Sequence, residues 1–64
     1  MSASSAELSS LAATVEELIR RLGPLSETYL GAQRDDLAAE LFEVERSLTA
    51  AQRRLYRLVQ APGA

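Results

Sequence analysis

Two runs of apolar residues, each stepping by three and four and separated by a break in phase, constrain this chain more than any other feature. Leu8, Leu11, Val15, Leu18, Leu22 and Leu25 form the first run. Leu37, Leu41, Val44, Leu48, Ala51, Leu55 and Leu58 form the second. Steps of three and four keep side chains on one stripe of a helix. The phase changes near Leu30-Gly31-Ala32, so the chain is expected to reverse there and the two stripes to face each other. The fold class this predicts is all-α, an antiparallel helical hairpin of the coiled-coil type.

Local signals set the expected bounds. Ser4-Ser5-Ala6-Glu7 reads as a capping box, with the Ser4 hydroxyl and the Glu7 carboxylate satisfying first-turn amides, and Met1 to Ala3 are expected to fray. Helix 1 is expected over about residues 5–30, with a break at Gly23-Pro24, because glycine suits a helix end and proline cannot continue the hydrogen-bond ladder. The first-run phase nevertheless passes through that dipeptide to Leu25 and Tyr29, which allows a kink in one longer helix. The turn is placed near residue 31 and helix 2 over about residues 33–60, ended by Ala61-Pro62-Gly63. Residues 1–64 thus read as a single helical-hairpin domain.

Register follows from layer pairing. A reversal at Gly31 makes facing positions add to about 62 or 63, and Leu25/Leu37, Leu22/Leu41, Leu18/Val44, Val15/Leu48, Leu11/Ala51 and Leu8/Leu55 all comply. A reversal at Gly23-Pro24 would strand Leu55, Leu58 and Val59 beyond the end of helix 1, and is the less favoured alternative. Charge agrees with a hairpin. Asp35, Asp36, Glu40, Glu43 and Glu45 lie early in helix 2 and Arg53, Arg54 and Arg57 late, which complements the helix macrodipole. The same hairpin brings Arg20 and Arg21 toward the acidic start of helix 2 and Glu7 toward the arginines at its end. Glu16/Arg20 and Glu17/Arg21 stand in the favourable i, i+4 order.

Sixty-four residues in two layers enclose no true interior, and 11 of the residues counted as hydrophobic are alanine. With no cysteine for a disulfide, association is the remaining common remedy for so thin a core. A weaker stripe flanks each expected seam, Ala12 and Ile19 on helix 1 and Phe42, Thr49 and Tyr56 on helix 2, with Val59 on the other flank. Such widening suits a helix that touches two neighbours. The hairpin is therefore expected to form a homodimeric four-helix bundle, with Ile19, Phe42, Tyr56 and Val59 as candidate interface residues.

Function is less constrained. Formal net charge is −2 and the pI about 4.9, which argues against a protein that coats nucleic acid. No apolar stretch reaches the length of a membrane span and the N-terminus has no signal-peptide pattern, so a cytoplasmic protein with no membrane association is expected. There is no His, Cys or Lys and no glycine-rich phosphate loop, which leaves little for catalysis. The carboxylates of Glu40, Glu43 and Glu45 are read as solvated, because a dinuclear site of the ferritin type needs inward-facing Glu-x-x-His pairs. No enzyme activity, metal or cofactor is expected. All seven basic residues are arginine, which is expected from the codon bias of a GC-rich bacterial genome, the less favoured alternative being selection for bidentate recognition of carboxylate or phosphate.

The chain is accordingly expected to be a small helical interaction or adaptor protein that self-associates and binds a protein partner. Arg53, Arg54 and Arg57, with Arg46, form the candidate partner or anion surface. The alternative is a small regulator that binds nucleic acid or an anionic nucleotide through those arginines. Dipole complementation and pairing with Glu7 would account for the same cluster without any ligand.

Overall fold

The computed structural model describes residues 3–62. Two helices, α1 over Ala3–Gly31 and α2 over Asp35–Gln60, pack as an antiparallel hairpin 48 Å long and 14 Å by 10 Å across. The Ser4 side chain of the expected capping box lies outside the described residues, as do Met1, Ser2 and Gly63.

The reversal occupies Ala32 to Arg34, centred two residues beyond Gly31. It is a Schellman closure. The Gln33 amide donates to the Leu30 carbonyl at 3.0 Å and the Arg34 amide reaches back to the Tyr29 carbonyl at 2.8 Å. These two bonds satisfy carbonyls that the end of α1 leaves without helical partners. The residue in the left-handed conformation is Gln33, at φ 60°, and not the neighbouring glycine. Gly31 ends α1 as a helical residue, and a Cβ there would meet nothing within 4 Å.

Helix α1 also runs through Gly23-Pro24, with Pro24 inside it. Proline supplies no N–H and its ring crowds the carbonyl four residues back, so continuity here has to come from packing. Beyond the proline, Ser26 is fully buried and Tyr29 half-buried, while Ala38 on the facing helix is fully buried. The helix is thus held against α2 on both sides of the dipeptide. Downstream hydroxyls cover carbonyls of this stretch, Ser26 Oγ donating to Leu22 O and Thr28 Oγ1 to Pro24 O, each at 3.0 Å.

The later turn moves the register. A Cβ on Gly23 would lie 3.9 Å from Glu45 Oε2, and Tyr56 Oη donates to Glu16 Oε2 at 3.2 Å. Both pairings lie more than a helical turn further along α2 than a reversal at Gly31 implies.

The contact face is rotated as well. The line of α1 withdrawn from solvent runs through Ser5, Leu8, Ala12, Val15, Ile19, Leu22, Ser26 and Tyr29, stepping by three and four beside the expected line. On α2 the withdrawn line is Ala38, Leu41, Glu45, Leu48, Gln52, Leu55 and Val59. Leu8, Val15, Leu22, Leu41, Leu48 and Leu55 belong to both the expected and the observed lines. Leu11, Leu18, Leu25, Val44 and Leu58, expected in the seam, are instead 42–52% exposed. The physical reason lies in size. Among the described residues Ala12, Ser26 and Ala38 are fully buried, so small side chains fill the seam at these positions and leave Leu11, Leu18, Leu25 and Leu58 beside it.

Candidate functional site

The rotation gives the hairpin two unlike faces. One carries the ladder Leu11, Leu18 and Leu25 of α1 beside Val44, Ala51 and Leu58 of α2, each ladder spaced by sevens. Leu18, Leu22 and Leu25 line a shallow groove with Val44, Leu48 and Arg21. Apart from Arg21 the lining residues are aliphatic. The arrangement supports burial of another apolar surface and offers no group for chemistry.

The opposite face is mixed. Phe42 is 40% and Tyr56 43% exposed, and Glu16 accepts a hydrogen bond from the Tyr56 hydroxyl. Phe42, Arg46 and Arg53 line a second shallow groove together with Glu45, Thr49 and Ala50. Of the four residues expected at an interface, Phe42 and Tyr56 therefore share this face. Ile19 and Val59 are half-buried in the seam between the helices.

The arginines do not converge on one point. Arg53 and Arg57 are one turn apart on the outer side of α2, while the 100° step per residue turns Arg54 toward the apolar face. Arg46 pairs with Glu43 at 3.5 Å. Among the described residues, Arg53, Arg54 and Arg57 have no carboxylate within 4.0 Å, so the expected pairing with Glu7 is not formed. Nor do Arg20 and Arg21 reach the acidic start of α2.

The ion pairs that do form are local. Arg20 binds Glu17, its Nε lying 3.2 Å from Glu17 Oε2, in place of the expected bond to Glu16, which is occupied by Tyr56. The hydrogen bond and charge of Arg20 lower the Glu17 pKa, and those of Glu17 raise the Arg20 pKa. Arg34 spans the carboxylate of Asp36 at 3.3 and 3.4 Å, which lowers the Asp36 pKa, with the Leu37 amide assisting. Asp35 and Asp36 in the first turn of α2 and Arg57 in its last complement the helix dipole.

Among the described residues, no group of three or more His, Cys, Asp or Glu is placed to hold a metal ion, and no buried side-chain polar atom lacks a partner. Among the described residues no helix is long and apolar enough to cross a membrane. The surface that sequence reasoning missed is the apolar ladder itself. Its signal is present in the sequence, since the same three-four spacing runs along two adjacent lines of each helix, but on α1 the line richer in leucine, Leu11, Leu18 and Leu25, lies beside the seam instead of within it. Comparison with protein-family models, with curated proteins and with solved structures finds no match for this chain.

Proposed function

We propose that the chain is a small non-enzymatic interaction protein that self-associates into a homodimeric four-helix bundle and works by binding a protein partner. The observation that carries this reading is the apolar ladder, whose five large members stand 42–52% exposed in the single hairpin. Contiguous aliphatic surface of this kind is characteristic of interaction sites on small soluble chains. Burying it also supplies the core that two helices lack. Sedimentation equilibrium is expected to give a mass of two chains, with helicity falling on dilution. A folded, cooperative monomer at micromolar concentration would overturn the reading.

A second reading rests on Arg53, Arg54 and Arg57, which lack carboxylate partners among the described residues. Those guanidiniums are open to the phosphates of a nucleic acid or an anionic nucleotide. Salt-dependent retention on DNA or on a nucleotide resin, abolished when all three arginines are replaced by Gln, distinguishes it from the first.

A further inference from the structure

The apolar ladders are symmetric about their own centres. On α1, Leu11 and Leu25 stand seven residues on either side of Leu18; on α2 the half-buried Leu37 continues the ladder of Val44, Ala51 and Leu58 by one further step of seven, and the four are centred between Ser47 and Leu48. The hairpin sets these two centres within one helical turn of each other, since Leu18, Val44 and Leu48 line one groove. A two-fold axis through both centres, perpendicular to the long axis of the hairpin, therefore brings each ladder onto its own copy at once.

The rim of the ladder is self-complementary about the same axis. Glu40, Ser47 and Arg54 follow one another by sevens along its outer edge on α2, with the acid and the base equidistant from Ser47. Neither Glu40 nor Arg54 has an opposite charge within 4.0 Å among the described residues. In an antiparallel pair of α2 helices, equivalent heptad positions face each other, so Glu40 meets Arg54 of the second copy twice over. A two-fold axis along the hairpin would instead set α1 against α2 of the second copy in the register seen at Gly23 and Glu45. Glu40 and Arg54 would then face Thr28 and Thr14.

We infer that the occupant of the apolar face is a second copy of this chain, docked face to face with the turns at opposite ends, Leu18 on Leu18 and Glu40 on Arg54 of the second copy. This arrangement rests on the self-associating reading above and specifies it. An isologous contact of this kind closes at two chains. The 48 Å by 14 Å outline of the hairpin offers about 670 Å² on each copy and about 1,340 Å² in all, within the range of specific interfaces.

Charge reversal tests the arrangement. Glu40→Arg and Arg54→Glu place like charges opposite one another, and each is expected to raise the dissociation constant of the homodimer roughly tenfold at low salt. Mixing the two variants in equal amounts makes every rim contact attractive, so heterodimers form with wild-type affinity or better. All these residues are good helix formers, and circular dichroism checks that helicity is kept. Independently, Ser47→Cys is expected to cross-link to its own copy on oxidation and give a covalent dimer of unchanged sedimentation. A chain that self-associates indifferently to these charges, without rescue on mixing and without a cross-link in the Ser47→Cys variant, overturns this arrangement and leaves the self-associating reading standing. A chain that stays monomeric at every concentration overturns both.

Discussion

At the residue scale the turn is where conformation and residue type disagree. Gln33 holds the left-handed φ of 60° that a Schellman closure needs, while the glycine suited to that conformation sits two positions earlier in a helix. A side chain with a Cβ is strained there, and a helical glycine leaves more conformational freedom to lose on folding. Gln33→Gly and Gly31→Ala are each expected to stabilise the hairpin by about 0.5–1 kcal/mol, read from denaturant titration. Alanine at 31 meets no neighbour, so the gain is free of steric cost. Moving the glycine to the left-handed position combines both effects in one chain.

At the element scale, the existence and number of the helices were legible from periodicity, because an amphipathic pattern sustained over four turns has one economical solution. Gly23-Pro24 was ambiguous for a physical reason. Local rules see a missing amide and a crowded carbonyl, whereas the packing of Ser26 and Tyr29 beyond the proline is a property of the folded hairpin. The contact face was illegible for a related reason. Three-four spacing is satisfied by neighbouring lines on one helix, and which line faces the partner helix depends on how closely Ala12, Ser26 and Ala38 let the backbones approach. The arginine cluster was visible as a charge run, but the rotation of Arg54 away from Arg53 and Arg57 depends on that same face. Because α1 is continuous, Pro24 is a cost carried within it, and Pro24→Ala is expected to stabilise the protein by up to about 3 kcal/mol. Were Pro24 the end of a helix, alanine would bring no such gain, and circular dichroism with chemical denaturation separates the two.

At the scale of the whole molecule, the proposed dimer assigns the two sets of apolar residues to different contacts, and the variants argued above make the difference measurable. Pro24→Ala and Gln33→Gly strengthen the hairpin at positions away from the apolar ladder, so together they favour a folded single chain. In that background Ala12→Leu forces a larger side chain into a position with no accessible surface, and overpacking of this kind costs roughly 1–3 kcal/mol of the hairpin's own stability. Leu18→Ala removes a side chain that is 42% exposed in the single chain and central to the ladder. It is expected to weaken self-association strongly while changing the unfolding of the monomeric hairpin little. Sedimentation equilibrium reads the first effect and denaturant titration of the dilute chain reads the second. A Leu18→Ala penalty of roughly 2–5 kcal/mol in the monomer, the range for truncating a leucine inside a core, would place Leu18 in the intrachain seam and remove the apolar face on which the dimer depends.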